Sequence, residues 1–236
     1  MSDASIFETL NWNEVWKDCF DHYQQDLRHA YYVNAFLEND DSRILEIGAG
    51  SFRDMHVLNS LGKQCFGIDA SSESVRRAKE IFPDIKEKII EANAFHLPFE
   101  NKSFEVSYSN GVIGCFADEK IHQLLEEQFR VTKKKMIVTV HNAHNSQFVN
   151  YFEQKKQADP IFCVRFFTVS DMKKMLIPYS SNIQIIPVGK GKKTYEDDLI
   201  NIGLFDAQSL RKEFDYHGMN LLDRSERLLC IANLDN

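Results

Sequence analysis

The sequence is poor in the features that mark secreted and membrane-spanning proteins. It has five cysteines among 236 residues, an odd number without the CxxC spacing of a disulfide framework or a zinc site. Its apolar runs last only a few residues, well short of the roughly 18 that cross a bilayer, and its acidic, polar start is unlike a secretion signal. We therefore expect a cytoplasmic protein with reduced thiols and no membrane span.

Basic residues are scarce relative to acidic ones. The chain has 28 Lys and Arg against 35 Asp and Glu, which gives a formal net charge of −7. Proteins that bind nucleic acid usually present a basic face. The charge balance therefore predicts that nucleic acid is not a partner.

Glycine and proline are also few, at 10 and 5 residues. No stretch rich in Gly, Pro or Ser divides the chain, and the length suits one α/β domain with appendages. We predict a single domain over residues 1–236. Its parts are a helical cap at 1–40, a core at 42–142, connections that form the substrate side at 143–225 and a final strand at 226–234.

Strand-like and helical segments alternate through the core. The strand-like segments are 44–47, 64–69, 88–94, 104–110 and 134–142, and the helical segments follow Gly50, run from Glu73 to Phe82 and run from Glu119 to Val131. Ser71 or Ser72 is suited to cap the second of these helices. Such alternation predicts a parallel sheet with helices on both of its faces.

The flanking segments have a different pattern. Residues 6–37 carry aromatic and apolar side chains in steps of three and four, which predicts an amphipathic helix that serves as core, as a lid, or as both. Residues 143–182 are mostly helical in pattern, without a clear strand. Strand-like segments follow at 182–189 and 227–234, with a helix signal at 206–214 between them.

The segment ILEIGAGSFR, residues 44–53, ends an apolar strand in two glycines one residue apart. Ligands of open α/β sheets bind at the carboxyl ends of the strands, where Gly48 and Gly50 allow the backbone to approach closely. Asp69 ends the next strand 19 residues after Gly50, the usual distance for an acid that accepts hydrogen bonds from ribose. These residues predict a nucleoside-containing cofactor. A tight turn at the glycines and a helix cap at Asp69 are the structural alternatives.

Two nearby side chains distinguish between classes of cofactor. Arg53 stands where a dinucleotide-binding loop has its third glycine. Glu46 lies two residues before the glycines, where a buried carboxylate would repel a pyrophosphate and favour a cation. S-adenosylmethionine carries a sulfonium and an α-amino group and has no phosphate. A charge in a buried strand is rare unless it is paired, so Glu46 is hard to explain by structure alone.

Four successive segments resemble class I S-adenosylmethionine-dependent methyltransferases, and in particular the small-molecule group that includes ubiquinone-biosynthesis enzymes. They are ILEIGAG (44–50), GIDAS (67–71), ANAFHLPFENKSFEVSYSNGVI (92–113) and FRVTKKKMIVTV (129–140). The resemblance implies a Rossmann-like three-layer α/β/α sandwich. Its sheet would be seven-stranded and mostly parallel, with an antiparallel C-terminal strand.

The resemblance also implies roles for residues around S-adenosylmethionine. Glu46, Gly48, Ala49 and Gly50 would lie beside its methionine part, Asp69 at the ribose hydroxyls, Ala70, Asn93, Ala94 and Phe95 around the adenine, and Ser109, Asn110 and Gly111 near the methyl group. The sequence departs from the family at Phe52, at Asn93 and before the fifth strand, where KKK (133–135) replaces the usual Pro-Gly turn. Phe52 replaces a glycine, so that the helix must start differently or Phe52 must point away. Asn93 stands where Asp is common, although an amide oxygen can also accept a hydrogen bond.

Catalytic residues are less clearly marked than cofactor residues. The candidates are His141, which follows the fifth strand within HNAHN (141–145), and Tyr151 in the next connection. His141 is a candidate general base, metal ligand or structural residue. No carboxylate stands near it at a ligand spacing, so we predict no metal site. The leaving sulfur of a methyl transfer is neutral, so the reaction needs no acid, and holding the reactants in line supplies much of the rate.

The sequence therefore predicts an S-adenosylmethionine-dependent methyltransferase with a small-molecule acceptor. Aromatic residues of the long connections, among them Phe116, Phe152 and Phe162, would form an apolar acceptor pocket. A non-catalytic S-adenosylmethionine-binding protein and an NAD-type oxidoreductase are the alternatives.

Overall fold

The computed structural model describes residues 9–25, 28–189, 194–203 and 205–234. Its strands are β1 (Arg43–Ile47), β2 (Gln64–Asp69), β3 (Ile89–Glu91), β4 (Phe104–Asn110), β5 (Thr132–Asn142), β6 (Phe166–Phe167), β7 (Asn182–Val188) and β8 (Arg227–Asn233). They form one sheet in the order β3-β2-β1-β4-β5-β8-β7, with β6 paired to β5. Only β8 runs antiparallel to its neighbours. The predicted sheet, with its antiparallel last strand, is confirmed.

Helices flank the sheet. They are α1 (Trp12–Cys19), α2 (Arg28–Asn34), α3 (Arg53–Ser60), α4 (Ser72–Ile81), α5 (Asp118–Val131), α6 (Ser146–Lys155), α7 (Val169–Leu176), α8 (Thr194–Asn201) and α9 (Ala207–His217). One core cluster joins the sheet to α2, α3, α4 and α9 through residues such as Met55 and Phe214. Another joins it to α5 and α7 through Leu124 and Met172. The result is a three-layer α/β/α sandwich.

The order of the strands reverses between β1 and β4. From β1 the chain continues to β2 and β3 on one side, and then crosses to β4 and β5 on the other. Glu46 on β1 is in register with Gly67 on β2 and with Tyr108 on β4. A reversal of this kind opens a crevice at the carboxyl ends of the strands, where ligands bind.

Phe52 begins α3 in an unusual conformation. Its φ of 56° lies in the left-handed region, where a residue with a Cβ is disfavoured, yet its ring is fully buried. A Cβ atom at Gly67 would lie 2.9 Å from the Phe52 ring, so the glycine on β2 makes room for it. Phe52 therefore points into the core and away from the crevice. This is one of the two alternatives that the sequence allowed for a phenylalanine at the position of the family's glycine.

Three elements differ from the sequence predictions. The stripe at 6–37 forms α1, a 3-10 turn at His22–Gln24 and α2 in place of one helix, and residues 1–8 and 26–27 lie outside the described part of the chain. The third strand is shorter than 88–94 because the chain turns at Asn93. The prediction that residues 143–182 contain no clear strand is wrong, since β6 lies within them and pairs with the end of β5. Two residues are too few to show a strand periodicity.

Candidate functional site

A cavity of about 740 Å³ opens at the carboxyl ends of β1, β2, β4 and β5. It brings together most of the predicted site residues, namely Glu46, Gly48, Ala49, Gly50, Asp69, Ala70, Asn93, Ala94, Phe95, Asn110, Gly111 and His141. Ser109 is fully buried and does not line it, because neighbouring residues of a strand face opposite ways and Asn110 takes the open side. Tyr151 is 48% exposed on α6 and faces a separate surface depression. The structure therefore leaves Ser109 and Tyr151 outside the site.

The glycine loop is tightly enclosed. Gly48 and Gly50 both have positive φ values, of 66° and 54°. A Cβ atom at Gly48 would overlap the side chain of Val112, and one at Gly50 would overlap the indole ring of Trp16. The turn therefore requires glycine at both positions for its backbone conformation and for its surroundings. The tight turn that the sequence offered as a structural alternative is therefore present, and the same turn lines the cavity.

Asp69 is held by the backbone of this loop. Its Oδ2 atom accepts a hydrogen bond from the Gly50 amide at 2.8 Å, and its Oδ1 atom accepts one from the Ser71 amide at 2.9 Å. Burial raises the pKa of Asp69. The cap of α4 is Ser71, whose hydroxyl accepts from the Ser74 amide at 3.2 Å. The sequence alternative that Asp69 is the cap of this helix is therefore wrong, since Ser71 is the cap.

Glu46 is almost fully buried, with 2% of its surface exposed. Its Oε2 atom accepts a hydrogen bond from the Met55 amide in the first turn of α3 at 2.9 Å, and the hydroxyl of Tyr108 donates a second one. Burial, and then the nearby Asp54, raise the pKa of Glu46 well above its usual range. Helix capping gives Glu46 a structural role that its sequence position did not suggest. The same carboxylate lines the cavity, where a cationic ligand would favour its charged form.

Arg53 and Asp54 form a buried pair beside Glu46. The Nε atom of Arg53 lies 3.1 Å from Oδ1 of Asp54, and its Nη1 atom donates to the Tyr23 carbonyl at 2.6 Å. The amide nitrogen of Asn110 donates to Oδ2 of Asp54 at 3.2 Å. Arg53 thus links the glycine loop to the N-terminal segment, and it fills the space that a dinucleotide-binding loop leaves for a third glycine.

The N-terminal segment lies across the cavity. We call residues 12–25 and 28–34 the N-terminal cap. Trp16 packs directly on Gly50 and lines the cavity, whereas Phe20 on the same helix is fully buried in the core. The sequence left open whether this aromatic stripe is core or lid, and the structure shows that it is both.

Hydrogen bonds fix the N-terminal cap to the loops beneath it. The side-chain amide of Gln24 donates to the Ser51 carbonyl at 2.9 Å. The Ser71 hydroxyl donates to Oδ1 of Asn13 at 2.9 Å. These contacts join the cap to the turns that follow β1 and β2, both of which carry predicted cofactor residues.

Helix α8 contacts the second helix of the N-terminal cap, α2, through the side chain of Glu196. Glu196 is fully buried and lies 3.2 Å from Nη1 of Arg28. It also accepts a hydrogen bond from the Tyr32 hydroxyl. Both Arg28 and Tyr32 line the cavity, so the ion pair forms part of its wall.

Asn93 makes a local turn after β3. Its Oδ1 atom accepts a hydrogen bond from the Phe95 amide at 2.9 Å, which is the geometry of an Asx turn. The turn directs Ala94 and Phe95 to the cavity. The predicted contact between Asn93 and an adenine therefore relies on the second lone pair of its oxygen.

His141 lies at the other end of the cavity, inside a cage of aromatic rings. Its ring is stacked with Phe148 at a centroid distance of 6.0 Å and lies 5.1 Å from Phe152 and 5.2 Å from Phe166. Its Nδ1 atom is buried and has no hydrogen-bond partner among the described residues. Burial, and then the charge of Arg227, lower the pKa of His141 well below 6.5. The imidazole is therefore neutral at physiological pH.

The remaining polar residues of HNAHN have structural roles. The side-chain amide of Asn142 donates to the Ser225 carbonyl at 2.8 Å. Nε2 of His144 accepts from the Val169 amide at 3.1 Å, and Asn145 caps α6 by accepting from Phe148. Within the described ranges there is no group of three His, Cys, Asp or Glu side chains with the geometry of a metal site.

Arg227 is the main cavity residue that the sequence prediction missed. It is the first residue of β8 and pairs with His141 on β5. The antiparallel direction of β8 brings its start to the edge where the parallel strands end. A cationic residue at the beginning of an antiparallel last strand was the available signal.

The core of the chain matches a known family over residues 45–140, and that family is described as a methyltransferase domain. The matched range includes the glycine loop, Asp69 and the turn at Gly111. These residues form a methyltransferase domain, in agreement with the resemblance seen in the sequence. The cofactor of this methyltransferase domain is S-adenosylmethionine. Its placement in the ubiquinone-biosynthesis group stays a prediction.

A sequence relative is an uncharacterized protein of Methanocaldococcus jannaschii, which is 30% identical over 112 residues. The match covers 47% of this chain and 41% of that protein. The chain therefore spans less than half of the length of this relative.

Solved structures share the fold over most of the chain. A methyltransferase of Thermotoga maritima, described as a possible histamine N-methyltransferase, has a TM-score of 0.64 at 13% identity and covers 94% of this chain and 99% of that one. One from Archaeoglobus fulgidus has a TM-score of 0.62 at 14% identity, with 91% and 94% covered. The [4+2]-cyclase SpnF has a TM-score of 0.55 at 11% identity, with 88% and 80% covered. At such identities the likeness concerns the fold.

Among the described residues, no helix has both the length and the apolar composition of a membrane span. The cytoplasmic location and the lack of a nucleic-acid partner stay predictions.

Proposed function

We propose that the chain transfers a methyl group from S-adenosylmethionine to a small organic acceptor. One observation carries this proposal, namely that a single cavity runs from the glycine loop and Asp69 to His141 and lies under the N-terminal cap. Its volume of about 740 Å³ falls in the range of small-molecule sites, roughly 300–1,000 Å³. A cavity of that size suits a nucleoside cofactor together with a small acceptor.

The residues at the loop end fit the cofactor. Gly48 and Gly50 let Val112 and Trp16, which also line the cavity, pack directly on the loop, because a Cβ atom at either glycine would overlap them. Each carboxylate oxygen of Asp69 accepts one backbone hydrogen bond and keeps a lone pair for a ribose hydroxyl. We assign Glu46 to the cationic methionine part of the cofactor and the turn at Ala94 to its adenine.

The mechanism assigned to this chain is displacement in line. S-adenosylmethionine, when bound, supplies a methyl group on a positively charged sulfur. Glu46 and the glycine loop would hold the methionine part of the cofactor, whose sulfur would keep the electron pair of its bond to the transferred methyl group. The chain holds the acceptor in line, which is worth on the order of 7–11 kcal/mol, and the N-terminal cap excludes water. The neutral imidazole of His141 is placed to accept a hydrogen bond from the acceptor.

A dinucleotide cofactor fits this site less well. Its pyrophosphate would lie at the start of α3, where Glu46 and Asp54 are both buried. The guanidinium of Arg53 is already bound to Asp54 and to the Tyr23 carbonyl. One fold neighbour is described as a [4+2]-cyclase, so this fold also serves proteins whose named reaction is not methyl transfer, and a role of that kind is the second candidate. Turnover separates that role from methyl transfer.

Calorimetric titration with S-adenosylhomocysteine, with NAD as the parallel ligand, tests the cofactor assignment. We expect a dissociation constant on the order of micromolar for the first and no binding of the second. Asp69→Ala should weaken binding at least about tenfold, because two ribose hydroxyls lose an ionic acceptor. Asp215→Ala, at an exposed surface ion pair on α9, is the control. Binding of NAD alone, or unchanged affinity in Asp69→Ala, would overturn the assignment.

Turnover over a panel of acceptors tests the reaction itself. The release of S-adenosylhomocysteine is measured with amines, phenols, carboxylic acids and thiols. We expect one acceptor class to turn over, and His141→Ala to lower that rate without weakening cofactor binding. A cofactor that binds but is never consumed with any class would favour the second candidate. An unchanged rate in His141→Ala at saturating acceptor would remove His141 from the mechanism.

A further inference from the structure

The two ends of the cavity carry opposite charge, and the glycine-loop end is acidic. Glu46, Asp54 and Asp69 all line this end, and each is at least nine-tenths buried. Arg53 offsets one of these charges through its contact with Asp54. The remaining acidic character matches a cofactor that carries a sulfonium and an ammonium group.

The far end of the cavity is cationic. Arg227 pairs with His141 across the sheet and stands 5.8 Å from the Phe148 ring centroid. Its positive charge acts on groups from three different elements. It lowers the pKa of His141 on β5. Burial raises the pKa of Tyr23 in the cap, and it raises the pKa of Cys115 to about 12. The charge of Arg227 acts against both of these increases. Among the described residues, no carboxylate acts comparably on His141 or Cys115.

The other charges near this end allow for a single anion. Arg28 lines the cavity but is neutralised by Glu196 and Asp197. Glu226 precedes Arg227 and lines both this cavity and the separate surface depression, which limits the negative charge that the end accepts. Arg227 has contacts of its own within the fold, and the position of its charge is what makes this end of the cavity cationic. One arginine beside a neutral histidine suits one negative charge.

The walls between the two ends are aromatic. Phe116, Phe152 and Phe162 line the cavity, and the rings of Phe152 and Phe162 lie 5.1 Å apart with an edge-to-face inclination. A Cβ atom at Gly111 would lie 3.9 Å from Cε1 of His141, so the predicted methyl position and the imidazole are close neighbours. Flat apolar rings in the wall of the cavity favour a planar acceptor.

We propose that the acceptor is a planar, singly anionic molecule whose negative charge lies at Arg227 and whose ring packs against the wall formed by Phe116, Phe152 and Phe162. This inference rests on the proposed function and specifies its acceptor. Electrostatic attraction would also orient the two ligands, with the cation at the Glu46 end and the anion at the Arg227 end. The negative charge is that of a carboxylate or of an ionised ring hydroxyl, and these two share the chemistry that Arg227 recognises.

Four probes of similar size test the proposal on protein saturated with S-adenosylhomocysteine. They are benzoate, 4-nitrophenolate above the pKa of its hydroxyl, benzyl alcohol and benzylamine. We expect the anions to bind at least about tenfold more tightly than benzyl alcohol, and benzylamine to bind most weakly. A preference for benzoate or for 4-nitrophenolate distinguishes a carboxylate from an ionised hydroxyl.

Arg227→Met isolates the charge, because methionine retains much of the side-chain length. The variant should bind benzyl alcohol as the wild type does and should lose the preference for anions. Arg76→Met, on the exposed side of α4, should change neither. The ratio of anion to alcohol affinity is the readout, since a purely structural loss would weaken both probes together.

The proposal is overturned if benzyl alcohol or benzylamine binds wild-type protein as tightly as the anions do. It is also overturned if Arg227→Met folds and keeps the anion preference. If that variant does not fold, the ranking of the four probes on the wild type still decides. The binding of S-adenosylhomocysteine is measured before any probe is added. If it does not bind, that result counts against the proposed function.

Discussion

At the scale of single residues, Glu46 combines two roles that conflict energetically. It fixes the first turn of α3 through the Met55 amide and lines the cofactor end of the cavity. Because burial and Asp54 raise its folded-state pKa above the unfolded value near 4.5, its folded state holds more protons. The stability of the folded protein therefore falls as pH rises through that window. Glu46 weakens the protein at neutral pH at a place where a cationic ligand needs a carboxylate.

Glu46→Gln should therefore stabilise the free protein and impair the site. The amide can still accept from Met55 and contact Tyr108, while the cost of burying a charge disappears. At pH 7 we expect a higher unfolding midpoint, by about 2–4 °C for each kcal/mol recovered. Affinity should fall more for S-adenosylmethionine than for S-adenosylhomocysteine, because only the first carries a sulfonium. Differential scanning calorimetry and titration of both ligands measure these effects.

Glu80→Gln is the control for this change, since Glu80 is an exposed partner of Arg76. It should alter neither the midpoint nor the affinities beyond experimental scatter. Equal losses of affinity for the two ligands in Glu46→Gln would place Glu46 away from the sulfonium. A lower midpoint would mean that the ionised carboxylate stabilises α3 by more than its burial costs.

At the scale of secondary-structure elements, the contact between α1 and the glycine loop links cofactor binding to the N-terminal cap. Gly50→Ala would strain a positive φ and would also drive a methyl group into Trp16. Gly62→Ala is a matched control, because Gly62 also has a positive φ, of 84°, with nothing near its Cβ position. The control should lose roughly 1–2 kcal/mol of stability from backbone strain, and Gly50→Ala should lose more.

The same pair of variants tests whether the cap closes the site. Gly50→Ala should weaken S-adenosylhomocysteine binding, while Gly62→Ala should leave it unchanged. Adding Trp16→Ala to Gly50→Ala removes the overlap and should recover part of the lost stability. Equal stability losses in the two single alanine variants, measured by urea denaturation, would show that α1 moves away from the loop at no cost.

The elements that the sequence predicted well are those with a strong period and a local terminator. β2 and β4 have the predicted bounds, 64–69 and 104–110, and Ser71 caps α4 as one of its two candidates. The errors depend on tertiary contacts. The stripe at 6–37 breaks where the cap folds over the loop, and β6 exists only because β5 extends far enough to pair with it.

The site shows the same division between local and distant information. Glycines and acids at strand ends mark a cavity wall from the local pattern alone, and eleven of the twelve predicted cofactor residues line the cavity. The twelfth, Ser109, is buried outside the cavity, because neighbouring residues of a strand face opposite ways and Asn110 takes the open side. Arg227 meets His141 only through the antiparallel return of β8, so its basic side chain indicates the contact only once the direction of the last strand is taken into account.

At the scale of the whole molecule, the cavity has an acidic and a basic end although the chain is acidic overall. Its formal net charge is −7, yet the groups that act on His141 are Arg227 and His29. A uniformly acidic interior would instead raise the pKa of a histidine. The basic end is thus a local product of the pairing between β5 and β8, which brings Arg227 beside His141, and its effect should appear in the pH dependence of folding.

His141 should make the protein lose stability below neutral pH. Its folded-state pKa lies well below 6.5, whereas in the unfolded chain it titrates near 6.5. Below that pH the unfolded state binds an additional proton, so the free energy of unfolding falls as pH falls, by up to about 1.4 kcal/mol per pH unit. His141→Phe fits the aromatic cage and removes this contribution. Urea denaturation from pH 7.5 to pH 5 should therefore show a flatter profile for the variant, while His122→Gln, exposed on α5, should follow the wild type. Parallel profiles for wild type and His141→Phe would mean that His141 takes up its proton at the same pH in the folded and unfolded protein, which would contradict a pKa lowered by burial and by Arg227.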